Sequence, residues 1–113
     1  MNKEAIFGRY HYQYTEEGYI GDLEISRIGN DKAAFSLFSV TGAPARNIAD
    51  VPTDTIPFKG NSFVYTIPES DSCSFKVSFY KGFAVVVYTN GYCSGQFGMN
   101  ATVDGIFIKQ SEE

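Results

Sequence analysis

Apolar and polar residues alternate along most of this chain, and turn residues interrupt the alternation at short intervals. An alternation with a period of two is typical of strands whose two faces meet different surroundings. No window of about ten or more residues combines apolar positions at helical spacing with a capping residue, so we predict no helix. The pattern predicts seven clear strands, over residues 7–15, 19–28, 33–40, 63–67, 73–80, 83–89 and 100–109.

Segment 45–58 carries the weakest strand signal, because Pro52 and Pro57 each lack the amide hydrogen that a sheet ladder needs. A strand here is expected to be bulged, short or at a sheet edge. With this segment the chain has about eight strands, and consecutive strands tend to be neighbours in space. We therefore predict a single all-β domain over residues 1–113, an up-and-down antiparallel meander that closes into a small barrel. An antiparallel sandwich is the alternative.

Composition narrows the classes of function. The aromatic fraction of 16% is high, which suits strands. The formal net charge is −4 with only 9 Lys and Arg, which are scattered, so a nucleic-acid partner is not expected. No run approaches the ~20 apolar residues that span a bilayer. The longest apolar run, residues 83–88, is interpreted as one buried strand.

The two cysteines, Cys73 and Cys93, lie near the open end of a predicted hairpin that turns at Lys81 and Gly82. In that hairpin Cys73 faces position 90, three residues before Cys93, so a disulfide is within reach. Inert free thiols and a reactive or metal-binding pair are the alternatives. Residues 1–5 show no apolar signal-peptide core, so the protein is either cytoplasmic or has lost a signal. The cysteine pair favours an extracytoplasmic location.

Side chains that could carry chemistry are few. His11 is the only histidine, and alternation places it with polar neighbours on one face of the first strand, opposite a tyrosine face. The polar face comprises Arg9, His11 and Gln13, and the tyrosine face Tyr10, Tyr12 and Tyr14. We interpret the first face as solvent-exposed and the second as core. No nucleophile–base arrangement is evident, so we expect no enzyme, metal or cofactor.

Aromatic residues cluster in the glycine-rich segment after Cys93, around Tyr92 and Phe97. An aromatic loop tied by a disulfide is a preorganised binding element, but the same residues would also suit a plug for the barrel mouth. The candidate binding residues are Tyr92, Ser94, Gly95, Gln96 and Phe97.

Several motifs together resemble a group of small bacterial extracytoplasmic, lipocalin-like β-barrel domains. These are Gly8-Arg9-Tyr10, residues 39–43, residues 73–77, the run 93–100 and Asp104-Gly105-Ile106-Phe107. The resemblance implies a barrel, a Cys73–Cys93 disulfide and a cell-envelope location. A weaker similarity links Ser94-Gly95-Gln96-Phe97 to the Ser-Gly-x-x-Tyr loop with which membrane-bound inhibitors enter the cleft of c-type lysozyme. This chain has Phe where the inhibitors have Tyr, and its loop is one residue shorter.

These observations favour a non-enzymatic extracytoplasmic binding module that engages a protein or cell-envelope partner through residues 92–99, in the manner of a lysozyme inhibitor. The alternative is a carrier of a small hydrophobic ligand in the barrel interior, lined by Tyr and Phe side chains.

Overall fold

Eight antiparallel strands and no helix make up the part of the chain described by the computed structural model, residues 6–13, 18–70, 73–90, 97 and 101–112. The all-β prediction is therefore confirmed. The strands are β1 (Gly8–Gln13), β2 (Ile20–Arg27), β3 (Lys32–Val40), β4 (Ile48–Pro57), β5 (Ser62–Thr66), β6 (Ser74–Tyr80), β7 (Phe83–Asn90) and β8 (Gly105–Glu112).

The sheet is a meander that nearly closes on itself. Its strand order is β4-β3-β2-β1-β8-β7-β6-β5. Each strand therefore neighbours the next in sequence except for β4 and β5, and β1 also pairs with β8. The pairing of the first and last strands brings the two ends of the order, β4 and β5, to the same side of the barrel. The predicted up-and-down barrel is confirmed, with a seam between β4 and β5 where the ladder is interrupted.

Buried and exposed side chains alternate along most strands, as predicted from the sequence. On β1, Tyr10 and Tyr12 are buried while Arg9 and Gln13 are exposed. The ring of Tyr12 lies so close to β2 that a Cβ on Gly21 would stand 2.2 Å from it, which explains the glycine there. Tyr14 lies outside the described residues.

β4 confirms the expectation of a bulged edge strand, although it is ten residues long. Its ladder with β3 shifts register between Phe35 and Leu37. The shift reverses the alternation, because the buried residues are Ala49 and Val51 before it and Ile56 after it. Both prolines of β4 are exposed, and β4 stands at an end of the strand order, where one edge of a strand needs no amide donors.

Two expectations about the last strands need correction. Residues 83–88 are not a uniformly buried strand, since Ala84 and Val86 are buried while Val87 is 55% exposed on the outside of the barrel. The final strand begins at Gly105 rather than at position 100, because residues 101–104 run outside the ladder.

Within the described ranges, none of the secondary-structure elements is a helix with the length and apolar character that a membrane crossing requires.

Candidate binding surfaces

The predicted binding loop lies mostly outside the described residues. Tyr92, Cys93, Ser94, Gly95 and Gln96 belong to that undescribed part, so the structure does not place them. Phe97 is described, and its partly buried side chain packs against the hydrophobic core. Phe97 is therefore a point at which the loop contacts the barrel core.

The two ends of this loop are tied together by hydrogen bonds. The Tyr88 hydroxyl on β7 lies 2.9 Å from Oγ1 of Thr102 and accepts a hydrogen bond of 3.0 Å from the amide of Val103. The Ser39 hydroxyl on β3 donates to the carbonyl oxygen of Thr102. Thr102 Oγ1 also donates to the Asp104 carboxylate at 2.5 Å. These contacts hold the chain that leaves β7 against the chain that enters β8.

Cys73 is buried, with 1% of its surface exposed, and directly precedes β6. Its amide donates to the Ser70 hydroxyl at 3.1 Å, and its carbonyl accepts from the amide of Ile67 at 2.9 Å. A register shift between Ser74 and Phe75 pairs Ser74 with Asn90, the last residue of β7. Because Cys93 lies outside the described residues, the Cys73–Cys93 disulfide stays a prediction.

Aromatic rings from non-adjacent strands contact one another across the described interior. The Phe35 ring on β3 lies 4.8 Å from the rings of Phe63 and Tyr65 on β5, measured between centroids. The Tyr10 ring on β1 lies 5.5 Å from that of Phe79 on β6. Side chains thus fill this part of the interior and bridge the seam between β3–β4 and β5.

Tyr65 also makes a polar contact at the seam. Its hydroxyl donates to the Asp54 carboxylate at 2.6 Å. Burial, together with the hydrogen bond to Asp54 and the negative charge of that group, raises the pKa of Tyr65 to about 12. The bulge in β4 makes this contact possible, because it turns Asp54 opposite the inward Phe35.

The outer face of β1 and β2 is polar, as predicted for the face that carries His11. His11 Nδ1 donates to Asp22 at 2.8 Å, and Arg9 Nε donates to Glu24 at 3.0 Å. A surface depression of about 310 Å³ is bordered by Arg9, Tyr10, His11, Asp22 and Gln110. No cluster of three or more His, Cys, Asp or Glu side chains suited to a metal ion occurs among the described residues.

A contrasting surface, missed by the sequence analysis, lies on the outside of β7 and β8. We call it the apolar face and define it by Tyr80, Phe83, Val85, Val87, Ile106 and Ile108. The exposed fractions are 46% for Tyr80, 55% for Val87, 55% for Ile106 and 50% for Ile108. The Tyr80 and Phe83 rings stack with centroids 5.0 Å apart. Contiguous apolar surface of this kind marks interaction sites on soluble proteins.

The unbroken apolar run 83–88 was the signal that could have revealed this face. Successive side chains of a strand point to opposite faces of the sheet, so an unbroken apolar run places apolar residues on both the inner and the outer face. Burial of the whole run would have required a second layer outside the barrel.

No family model, curated protein or solved structure matches the chain.

Proposed function

We propose that this protein is a non-enzymatic binding module of an extracytoplasmic compartment, and that it engages a protein or cell-envelope partner through the loop of residues 92–99. The observation that carries the proposal is the hydrogen-bonded junction of Tyr88, Thr102 and Val103 at the base of this loop. A loop whose ends are held together loses less conformational entropy on binding than one with free ends. The packing of Phe97 on the core restricts the loop further.

A disulfide between Cys73 and Cys93 is part of this proposal. Cys73 is buried beside the end of the β6–β7 pairing, and Asn90 is three residues before Cys93. Such a bond would tie the loop to the barrel a second time, and it would suit an oxidising compartment. Intact mass after alkylation, with and without reduction, tests the bond directly. Two thiols that alkylate without reduction, in protein from its native host, would contradict both the bond and the extracytoplasmic location.

The partner class is suggested by the resemblance of Ser94-Gly95-Gln96-Phe97 to the loop of lysozyme inhibitors. The net charge of −4 suits a basic partner such as c-type lysozyme, although it is also an ordinary charge for solubility. In the proposed complex Gln96 would contact the partner, and Tyr92, Ser94 and Gly95 would shape the loop around it.

The alternative function, transport of a small hydrophobic ligand, would use the barrel interior. A ligand there would have to displace rings that already contact one another, such as Phe35 and Phe63. The interior packing therefore favours the loop over the interior as the binding element.

The experiment compares loop variants with matched controls outside the loop. Binding to immobilised c-type lysozyme and to a cell-envelope fraction would be measured for Gln96→Ala and Phe97→Ala. Gln110→Ala is the control for the first, since Gln110 is also a glutamine and is exposed on β8. Ile67→Ala is the control for the second, since Ile67 is partly buried against the same core.

We expect Gln96→Ala to lose at least about tenfold in affinity, as for a central contact of an interface. Phe97→Ala should lose a similar factor, because it releases the loop from the core. The controls should bind like the wild type. Loss of binding to the envelope fraction without any lysozyme binding would support the loop and reject lysozyme as the partner. Unchanged binding of both loop variants to every partner would overturn the proposal.

A further inference from the structure

Three hairpin turns meet at one end of the barrel and are joined by hydrogen bonds. They connect β2 to β3, β4 to β5 and β6 to β7, and comprise residues 28–31, 58–61 and 81–82. The amide of Phe58 donates to the carbonyl oxygen of Asp31 at 2.8 Å. The amide of Phe79 donates to the Asn61 carbonyl at 2.8 Å, and the Asn61 side chain donates to the Phe79 carbonyl at 3.0 Å. The three turns therefore form one continuous rim.

This rim gathers basic residues that lie far apart in the sequence. All four are exposed, and we call them the basic rim: Arg27, Lys32, Lys59 and Lys81. Asp31 is the acidic residue of the same turns, whereas Glu112 belongs to the β1–β8 ladder. Four cations and one anion give this part of the barrel a formal charge of +3, although the whole chain carries −4. A local positive field of this kind attracts anions to one end of an acidic protein.

Two of the lysines are neighbours on the outside of the barrel. Lys32 pairs with Pro57 across the β3–β4 ladder, and both residues are exposed. Lys59 lies two residues beyond Pro57 and is exposed, while Phe58 between them is buried. Lys32 and Lys59 are therefore diagonal neighbours on the same side of the sheet. Within the described residues, no ion pair includes Lys32, Lys59 or Lys81, so their charges can serve a partner.

Exposed apolar side chains stand among these cations. Ile28 lies in the turn between Arg27 and Lys32 and is 54% exposed. A hydrogen bond of 3.1 Å from its amide to the Lys32 carbonyl closes the turn. Tyr80 directly precedes Lys81 and is also exposed. The rim thus combines positive charge with an aliphatic tip and a tyrosine, a residue that is enriched at membrane–water interfaces.

We propose that the basic rim docks on the surface of an anionic lipid membrane. The lysines would lie beside the lipid phosphate groups, and Ile28 would enter the apolar layer just beneath them. A membrane meets both requirements of the rim, since it offers negative charge and an apolar interior at one surface. A soluble polyanion, such as an acidic polysaccharide, would engage the lysines but would leave Ile28 in water.

Docking in this orientation would point the other end of the barrel away from the lipid. The junction of Tyr88, Thr102 and Val103 lies at that other end, because Tyr88 is near the end of β7 that is farthest from turn 81–82. The base of the proposed binding loop would therefore face away from the membrane. The docking is independent of the proposed function, since it uses different residues, and either can fail without the other.

The charge of the rim predicts weak binding that depends on salt. Each basic residue near an anionic surface raises the binding constant on the order of fivefold. An increase in salt from about 0.1 M to about 1 M shortens the Debye length from about 10 Å to about 3 Å. We therefore expect the full chain to bind anionic vesicles at the lower salt concentration and to dissociate at the higher one.

The first test is cosedimentation of the full chain with vesicles of phosphatidylcholine that contain about one third phosphatidylglycerol, and with vesicles of phosphatidylcholine alone. It compares the wild type with Lys59→Glu and Lys76→Glu. Lys76 is a matched control, because it is an exposed lysine on β6 outside the rim and its change alters the net charge equally. We expect Lys59→Glu to lower the binding constant at least about tenfold, and Lys76→Glu to leave it within about twofold.

The second test separates a membrane from a soluble polyanion. Ile28→Ser and Val64→Ser each remove an exposed aliphatic side chain, 54% and 59% exposed, and Val64 lies on β5 outside the rim. Ile28→Ser should lower the binding constant for anionic vesicles about fivefold, whereas Val64→Ser should leave it within about twofold. Binding to heparin is measured in parallel, and Ile28→Ser should not change it. Circular dichroism and thermal melting must show that each variant folds.

Several results would overturn the proposal. One is a wild type that binds neither kind of vesicle, or binds both kinds equally. Another is an equal effect of Lys59→Glu and Lys76→Glu on binding to anionic vesicles. The last is an Ile28→Ser variant that binds these vesicles like the wild type, because charge alone would then account for the binding and a soluble polyanion would fit the rim as well.

Discussion

The outer faces of β1–β2 and β7–β8 belong to the same barrel and differ in nearly every side chain. Outward positions on β1 and β2 carry Arg9, His11, Asp22 and Glu24, which pair as ions or hydrogen-bonded groups. The outward positions from Phe83 to Val87 on β7, and Ile106 and Ile108 on β8, carry valine, isoleucine and phenylalanine. The most deeply buried inward side chains of both strand pairs are apolar, among them Leu23 and Ile25 on β2, Val86 on β7 and Phe107 on β8.

The boundary between the two surfaces is narrow, since His11 on β1 pairs directly with Ile108 on β8. Inward residues thus form the core of the barrel, whereas outward residues determine whether each outer surface is polar or apolar. Contact with water is enough to account for the polar outer surface of β1 and β2. A contiguous apolar surface such as the one on the other side is typical of interaction sites.

The largest expected effects are on the free energy of unfolding of variants at inward positions. They show whether inward residues stabilise both sides of the barrel to the same extent. Leu23 on β2 and Phe107 on β8 are both fully buried. Leu23→Ala and Phe107→Ala should each lower the free energy of unfolding by about 3–4 kcal/mol, through lost apolar burial and the cavity left behind. Urea unfolding of the two variants and the wild type measures both effects. A cost below about 1 kcal/mol for either would show that its side of the barrel does not depend on inward packing.

The free energy of unfolding at alkaline pH tests whether the buried contact of Tyr65 with Asp54 stabilises the protein at the seam. The pKa of Tyr65 is raised to about 12, and that of an unfolded tyrosine is about 10. Below pH 10 both states keep the proton. Between about pH 10 and 12 only the unfolded state loses it, so stability should fall by on the order of 2 kcal/mol over that window. Tyr65→Phe should reduce this fall.

The matched control is Tyr80→Phe, which removes a hydroxyl from the apolar face and should leave the alkaline fall unchanged. Unfolding curves at a series of pH values give the free energies. If Tyr65→Phe and Tyr80→Phe behave alike, the contact with Asp54 does not govern stability at the seam.

A smaller effect is expected on the polar side. His11 and Asp22 are 33% and 41% exposed at their side chains, so water and salt screen their interaction. A double-mutant cycle with His11→Gln and Asp22→Asn should give a coupling energy of about 0.2–1 kcal/mol that weakens with added salt. A coupling above about 2 kcal/mol would mean that this surface stabilises the fold as the interior does.

The smallest effect on stability is expected on the apolar face, where Ile106→Thr should change the free energy of unfolding by no more than about 0.5 kcal/mol. The same change should reduce the fluorescence of a dye that binds exposed apolar surface. Val64→Thr, outside the apolar face, is the control and should reduce it less. A large loss of stability with Ile106→Thr would assign this face to the fold rather than to an interaction.

Much of the fold could be predicted from the chain alone. Tyr10 and Tyr12 were expected inside and Arg9 and Gln13 outside, because alternation in a single strand needs no knowledge of its neighbours. The prolines of segment 45–58 predicted a strand that is bulged, short or at a sheet edge, since they cannot donate to a neighbouring ladder. Of the candidate binding residues, the structure places only Phe97, so the loop hypothesis still depends on the sequence.

The reversal of alternation in β4 could not be predicted, because the register shift opposite Phe35 and Leu37 depends on the pairing with β3. For the same reason the contact between Tyr65 and Asp54 was not foreseen. The start of β8 was also misplaced, since strand propensity does not say where a ladder begins.

Local alternation and turn residues were enough to predict the number of strands, which strands are neighbours and which side chains share a face of a strand. The sequence by itself could not decide which side of β7 turns inward, since residues 83–88 are apolar on both sides. The packing of the barrel interior decided which side of β7 faces inward, because only a small side chain fits at the inward position 84. Ala84 lies in the ladder between Phe79 and Phe107, whose rings both fill the interior, and a small side chain fits between them. Val85 and Val87 were thereby left outside, where they form the apolar face.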